Sequence, residues 1–221
     1  MKSITRRRFL AVAGTTIGAS LLACGGLATF GLRAPSSLPP AKLNCGKEEK
    51  MEGKILVAYA SKSGTTAEIA EAIGQALCEA GLPVDVMKAR DVKSLAPYRA
   101  VVLGGAVRMA RLLPDTTKFA KRHAKSLAAL PTAYFSVSLT AADATEEAAK
   151  TLAGYHQPLR DIKAPIKEGA FAGAVIMNRL EPIMRWMLSK SNDGKLTECD
   201  HRDWDAIRAW ASDLAVTLSK V

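Results

Sequence analysis

The sequence predicts an α/β domain of the doubly wound class, in which helices cover both faces of a parallel sheet. Two observations support this prediction. Five apolar runs recur from residue 54 onward, with helical patterns between them, and most of the runs do not alternate apolar with polar residues, as expected of strands buried on both faces. The runs are Lys54–Tyr59, Val84–Met87, Ala100–Leu103, Thr132–Val137 and Ala170–Ile176.

The segments between and after these runs have helical periodicity. In the first, Ile69, Ile73 and Leu77 share one face, and Thr65 with Glu68 matches a capping box at the helix start. Three later segments are predicted to be helical on the same grounds: one that opens at Pro114, one from Asp143 to Tyr155, and one with an apolar stripe from Trp204 to Leu218.

Residues 1–50 differ in composition from the rest of the chain. Thr5–Leu10 reads T-R-R-R-F-L and leads into a charge-free run, Phe9–Leu32, so the segment resembles a twin-arginine export signal. The alternative is a membrane anchor, because the run is long enough for the ~20 residues that span a bilayer. Both interpretations keep the basic end inside and place the rest of the chain outside.

We therefore predict three regions: an export signal or anchor over residues 1–33, a flexible linker over 34–52, and an α/β domain over 53–221. The predicted location is the periplasm or the outer face of the cytoplasmic membrane. Leu21–Gly25 resembles a lipidation site at Cys24, which is a second fate for the leader.

The positive charge of the chain lies mainly in the leader. Residues 1–50 contain eight Lys/Arg and two Asp/Glu, so +6 of the net charge of +10 lies there and +4 in the domain. No block of interleaved basic and aromatic residues occurs, and we therefore predict no nucleic-acid partner.

The four cysteines, Cys24, Cys45, Cys78 and Cys199, lack the spacing of metal ligands, and no metal site is predicted. Cys78 falls on a helix face and is predicted to be a small buried apolar residue. A disulfide between Cys45 and Cys199 is an alternative that would suit an exported protein.

No acid–base or nucleophile constellation is visible in the sequence. We predict that His123, His156 and His201 are surface or capping residues rather than catalysts. If the protein is an enzyme, its chemistry is therefore expected to reside on a bound cofactor.

Ser61–Thr66, with the sequence S-K-S-G-T-T, lies between the first predicted strand and the first predicted helix. Backbone N–H groups of such a turn converge on one point, and the helix dipole favours an anion there. The segment does not match the nucleoside-triphosphate or dinucleotide loop patterns. We predict a phosphate site with neutral donors, or alternatively a serine-rich turn without ligand; its residues are Ser61, Lys62, Ser63, Gly64, Thr65 and Thr66.

Two further turns are predicted at the carboxyl ends of the third and fourth strands, where this fold class binds ligands. In the first, adjacent glycines would let a flat ring approach the backbone, and Arg108 could contact the ring or a substrate carboxylate. The second offers small hydroxyl donors beside apolar groups. The candidate residues are Gly104, Gly105, Ala106, Val107, Arg108, Phe135, Ser136, Val137, Ser138 and Leu139.

These motifs resemble the flavodoxin family. Ser61–Thr66 fits its [ST]-x-[ST]-G-x-T phosphate loop, and Gly104–Arg108, Phe135–Leu139 and the tail Asp193–Trp204 resemble the branch of menaquinone-dependent protoporphyrinogen IX dehydrogenases. The resemblance implies a flavodoxin-like five-stranded sheet with strand order 2-1-3-4-5. It also implies that FMN is the cofactor, with its phosphate in the loop and its ring between the two later turns.

The same resemblance implies an oxidoreductase that oxidises an apolar or porphyrinogen-like donor and passes electrons to a membrane quinone. Residues 177–190 are apolar and basic, which suits contact with a membrane or a cap over an apolar ligand, or else a helix packed on the sheet edge. The alternative function is an electron carrier of the flavodoxin type, which docks to redox partner proteins and has no small substrate of its own.

Overall fold

The structure is a computed structural model that describes residues 44–45, 53–183, 185–186 and 198–220. Outside the described residues lie the predicted leader, the predicted linker apart from residues 44–45, and part of the segment 177–190 that was predicted to contact a membrane. The chain divides into two units, of which one comprises Ser37–Arg179 with Thr197–Val221 and the other includes Leu180–Leu196. The fold below is that of the first unit.

A five-stranded parallel sheet forms the centre of this unit, with the spatial order β3-β2-β4-β6-β7. In chain order of the five principal strands this is 2-1-3-4-5, so the predicted fold is confirmed. The strands are β2 (Lys54–Ala60), β3 (Val84–Lys88), β4 (Tyr98–Arg108), β6 (Thr132–Ser138) and β7 (Lys167–Ala172).

Four short strands also occur among the described residues. Two of them add antiparallel pairs to the main sheet: β1 (Asn44–Cys45) pairs with β3, and β5 (Arg111–Leu112) pairs with β4. The other two, β8 (Ala174–Val175) and β9 (Cys199–Asp200), pair with each other in a separate two-stranded sheet.

Helices connect the strands. They are α1 (Thr65–Glu79), α2 (Pro114–Arg122), α3 (Ala124–Ala129), α4 (Glu146–Tyr155), α5 (Gln157–Arg160) and α6 (Trp204–Leu218), with 3₁₀ turns at Leu139–Ala142 and Met177–Arg179. Within the described part of the chain, no helix combines the length and the apolar character needed to cross a membrane.

The core has two halves, one on each face of the sheet. Ile55 and Val57 of β2 face the half that contains residues of α1 and α6, whereas Leu56 and Ala58 face the half that contains residues of α2 and α3. All four side chains are fully buried. This explains the unbroken apolar run in the sequence, because successive side chains of a strand point to opposite faces and both faces are covered.

The strand ends differ from the predicted ones. β4 continues to Arg108, past the expected end at Leu103, and β6 continues to Ser138. The fifth strand begins at Lys167 and ends at Ala172. It lies at the sheet edge, where alternate residues such as Ala170 are exposed, so its first half does not read as an apolar run.

Candidate anion- and ring-binding site

The loop that follows β2 is shaped by its own glycine and serine. Gly64 has a φ of 89°, a left-handed conformation that glycine adopts without the Cβ clash of other residues. The hydroxyl oxygen of Ser61 accepts the Gly64 N–H at 3.0 Å. The Ser61 oxygen therefore holds the loop closed, and its own proton remains available to donate.

Helix α1 begins at this loop without a side-chain cap. The carbonyl of Gly64 accepts the N–H groups of Ala67 at 2.9 Å and Glu68 at 3.2 Å. The amides of Thr65 and Thr66 therefore precede the first helical hydrogen bond, as expected at a helix N-terminus that can receive an anion. The predicted capping box of Thr65 and Glu68 is wrong, because Gly64 occupies the N-cap position and makes no side-chain cap bond.

Glu68 instead forms an ion-pair cluster. Its two carboxylate oxygens accept the guanidinium groups of Arg179 and Arg202, and Arg202 also pairs with Asp200 at 2.5 Å. The Arg202 guanidinium lies 4.6 Å from the centroid of the Trp204 ring. Hydrogen bonding to Arg202 lowers the pKa of Asp200. No local sequence pattern signals this cluster, because Glu68 is separated by more than a hundred residues from both arginines.

The hydroxyl groups of the loop have unequal surroundings. The oxygens of Ser63 and Thr65 lie 3.5 Å apart, and Lys62 is exposed. The side chain of Thr66 is only 1% exposed, and its hydroxyl has no hydrogen-bond partner among the described residues. A buried hydroxyl left unpaired costs about 1–3 kcal/mol, which marks Thr66 as a donor suited to a ligand.

The two glycines of β4 make room for protein side chains. A Cβ on Gly104 would lie 2.3 Å from the ring of Phe135, and one on Gly105 would lie 2.2 Å from the Thr116 hydroxyl oxygen. Both glycines are inside a strand, so the prediction that they form a turn is wrong, whereas their contact with a ring stays a prediction. The absence of a Cβ lets the ring of Phe135 and the Thr116 side chain of α2 approach the backbone of β4.

The turn predicted at the two glycines lies instead at the end of β4. Met109 and Ala110 have φ values of 51° and 58° and connect β4 to β5, so that Arg108 pairs with Arg111. Met109 is 78% exposed at the tip of this hairpin. Arg108 is half-buried at its base, so its predicted contact with a ring or a substrate stays a prediction.

The predicted turn after β6 is divided between core and surface. Phe135 and Val137 belong to the core half that contains residues of α1 and α6, so their side chains serve packing. Ser136 and Ser138 are buried, with hydroxyl groups that have no partner among the described residues, and Leu139 is 39% exposed. The two serines are thus the members of this segment whose hydrogen-bonding capacity is unused.

Strand register brings the three predicted segments to one edge of the sheet. Ala60, Gly105 and Ser136 are adjacent in the ladder, and Ala106 pairs with Val137 in the next row. The loop after Ala60, the last turn of β4 and the end of β6 therefore share the carboxyl edge. Thr116, at which no sequence pattern pointed to a site, has a further buried hydroxyl above Gly105, without a partner among the residues described.

His123 and His156 occupy helix-capping positions, which was one of the predicted alternatives, but both are buried rather than on the surface. His123 is 8% and His156 is 2% exposed, and burial lowers the pKa of both. His156 packs beside Tyr134, and its Nδ1 lies 3.6 Å from the carboxylate of Glu168. His201 is exposed, as predicted.

The cysteine predictions also change. Cys199 has a free thiol, so the Cys45–Cys199 disulfide is not formed. Cys78, expected to be a simple apolar residue, is half-buried and disulfide-bonded.

The fold and this edge define the chain as a doubly wound α/β protein with a glycine-containing loop between its first principal strand and the helix that follows. The model of the flavodoxin domain matches residues 56–200. The chain belongs to this flavodoxin domain family.

Two curated relatives extend over most of the chain. A protoporphyrinogen IX dehydrogenase [quinone] from Leishmania major is 31% identical over 172 residues, which are 73% of this chain and 74% of the relative. The protein of the same name from Escherichia coli is 26% identical over 176 residues, which are 76% of this chain and 97% of the relative.

Solved structures agree on the fold. A flavodoxin from Streptococcus pneumoniae superposes with a TM-score of 0.50 at 16% identity, covering 76% of this chain and all of that one. A flavodiiron core from Synechocystis gives a TM-score of 0.52 at 12% identity, covering 78% of this chain and 38% of that one.

Proposed function

We propose that this chain is an FMN-dependent oxidoreductase that oxidises an apolar or porphyrinogen-like donor and delivers the electrons to a quinone. The observation that carries the proposal is the loop Ser61–Thr66, in which a left-handed Gly64 precedes the first amides of α1, beside a buried Thr66 hydroxyl that has no partner in the part of the chain that the structure describes. These are neutral donors aimed at an anion, in a chain of the flavodoxin domain family.

The residues at the edge fit FMN. The amides of Thr65 and Thr66, with the Thr66 hydroxyl, would receive the phosphate, and Ser63 is close enough to add a donor. Ser136 and Ser138 would supply unused hydroxyl groups on the side of the later strands. When bound, the flavin would supply the electron or hydride transfer.

The residues of the protein would bind and orient the flavin and would leave one side of the site accessible to a donor or acceptor. Arg108, at the base of the exposed hairpin, would meet the ring edge or an anionic substituent of the donor, since a guanidinium pairs with carboxylates. The exposed Met109 and Leu139 would form an apolar rim, suited to a hydrophobic donor or acceptor.

The donor and the acceptor are inferred from relatives. The proteins from Leishmania major and Escherichia coli carry the name protoporphyrinogen IX dehydrogenase [quinone], at 31% and 26% identity. That similarity, together with the apolar rim, supports a membrane quinone as the electron acceptor.

We also propose that the domain works outside the cytoplasm, at the membrane. The twin-arginine pattern at Thr5–Leu10 supports export, and the disulfide of Cys78 suits an oxidising compartment. Ile183 and Trp186, within the segment 177–190, are 54% and 60% exposed, which supports contact with a lipid surface or an apolar ligand.

Purification of the full chain and titration with FMN, followed by assays with protoporphyrinogen IX and a soluble menaquinone analogue, tests the proposal. We expect stoichiometric FMN binding and quinone-dependent oxidation of the donor. Absence of FMN binding would overturn the cofactor and the function together. FMN binding and electron exchange with a redox protein, without turnover of donor and quinone, would instead establish the electron-carrier function, for which the exposed Met109 hairpin offers a docking surface.

A further inference from the structure

A small cleft lies beside the loop Ser61–Thr66, near the carboxyl ends of β2 and β3 and away from β6 and β7 in the strand order. It is bounded by the carboxyl ends of β2 and β3 and by the start of α2, and its volume is about 220 Å³. It shares with the phosphate loop only the residues Ser61 and Lys62. The residues that line it are Ser61, Lys62, Lys88, Arg90, Leu113, Pro114, Asp115 and Lys118.

The lining is strongly basic. Lys62, Lys88, Arg90 and Lys118 face a cleft to which only Asp115 contributes a negative charge. Because like charges around one cavity focus a positive potential, such a cleft attracts anions and favours those with more than one negative charge.

The polypeptide converges on the cleft from three separate places. Lys62 follows β2, Lys88 is the last residue of β3, and Lys118 lies one turn into α2. Arg90 is exposed, and its Nε lies 3.7 Å from the carboxylate of the exposed Asp91. The cluster is thus produced by the sheet and not by a local run of basic residues.

The start of α2 adds to this arrangement. Leu113 occupies the N-cap position, where it provides no side-chain cap, and Pro114 has no amide hydrogen. The positive end of the helix dipole therefore faces the cleft without a capping oxygen of its own. The cleft volume is below the ~300 Å³ at which pockets for drug-sized ligands begin, which suits a phosphate or diphosphate group better than a whole nucleotide.

We propose that this cleft is a second anion site, which binds a phosphate group next to the one held by Ser61–Thr66. Two sources offer that chemistry: the second phosphate of a flavin dinucleotide, or a separate phosphate-bearing ligand. The first source rests on the flavin function proposed above, whereas the site itself rests only on its four cations and the start of α2.

Titration of the FMN-loaded full chain with pyrophosphate, at constant ionic strength, tests the site. We expect binding that Lys88→Gln/Lys118→Gln weakens at least tenfold and that Lys88→Arg/Lys118→Arg retains. The matched control is Lys121→Gln/Lys125→Gln, which removes two exposed charges of α2 and α3 that do not line the cleft. Equal weakening in the control, or no binding beyond that of chloride, would overturn the site.

Titration of the flavin-free full chain with FMN and FAD, followed by flavin fluorescence, separates the two sources. Tighter binding of FAD than of FMN, lost in Lys88→Gln/Lys118→Gln but kept in the control, assigns the site to the dinucleotide. Equal FMN and FAD affinities, with pyrophosphate still bound by the FMN-loaded protein, assign it to a separate ligand. Pyrophosphate binding to a chain that binds neither flavin would contradict the proposed function but would support the second anion site.

Discussion

At the scale of single residues, the candidate site is marked by buried hydroxyl groups that make no hydrogen bond to the described residues. Thr66, Thr116, Ser136 and Ser138 bury hydroxyl groups without a partner among the described residues. Native proteins pair most buried polar groups, so the hydroxyls of Thr66, Ser136 and Ser138 fit the proposal that a ligand binds at this edge of the sheet.

Thr66→Val is expected to weaken FMN binding about tenfold, equivalent to roughly 1.4 kcal/mol, by removing one hydrogen bond to the phosphate. The same change should leave the flavin-free protein as stable as before, or more stable, because the hydroxyl it removes has no partner among the described residues. FMN titration and urea unfolding of the flavin-free chain measure the two effects. Thr151→Val, an exposed substitution in α4, should change neither.

Gly64→Ala should destabilise the protein by about 1–2 kcal/mol, because a Cβ is strained at a φ of 89°. Gly154→Ala is the matched control: it lies in α4, its Cβ would meet open space, and alanine should stabilise the helix by about 0.5–1 kcal/mol. Urea unfolding of both variants checks the opposite signs. Equal stability of Gly64→Ala and the parent chain would contradict the role given to the loop glycine.

At the scale of elements, the ion-pair cluster of Glu68 connects the first turn of α1 to both ends of the segment between Arg179 and Arg202. Arg202 is the more deeply buried of the two arginines, since its side chain is 8% exposed and that of Arg179 is 31% exposed. The same first turn of α1 carries Thr65 and Thr66, so the cluster stiffens the helix end on which the loop depends.

Glu68→Ala is therefore expected to lower the free energy of unfolding by about 1–2 kcal/mol, since it leaves a largely buried arginine with one carboxylate fewer. Arg202→Ala should cost more than Arg179→Ala, in line with burial. Thermal unfolding of the three variants measures this order. Glu71→Ala, at an exposed position of the same helix, provides the control and should be close to neutral.

At the scale of the whole molecule, buried histidines connect stability to pH. Burial lowers the pKa of His123 and His156 below the ordinary value of 6.5, so the unfolded chain binds more protons than the folded one as the pH falls through 6.5. Hydrogen bonding to Arg160 lowers the pKa of Glu168, which extends the loss of stability below 4.5. Stability should therefore rise with pH from the acid side up to about neutrality.

Urea unfolding between pH 5 and pH 7 tests this expectation. Each histidine that stays neutral in the folded state adds a slope of up to about 1.4 kcal/mol per pH unit. His156→Phe should reduce the slope by up to about 1.4 kcal/mol per pH unit, which corresponds to one proton. An unaltered slope in His156→Phe would contradict the assignment of the buried ring.

Much of the fold was predictable because its signals are local. The apolar runs, the helix stripes and the S-K-S-G-T-T turn each lie within a few residues, and the family resemblance added the strand order. Strand ends were predicted less well. β4 runs on through Gly104 and Gly105, because pairing with β2 and β6 extends a strand past the residues that local patterns assign to a turn.

The sequence by itself determined the class of fold and the position of the loop proposed to receive the anion, since strand, turn and helix start are encoded side by side in Lys54–Glu79. Only the tertiary structure decided what the glycines, histidines and arginines do. Phe135 fills the space over Gly104, and Glu68 meets Arg179 and Arg202. These contacts join residues far apart in the chain, and local patterns carry no signal for such contacts.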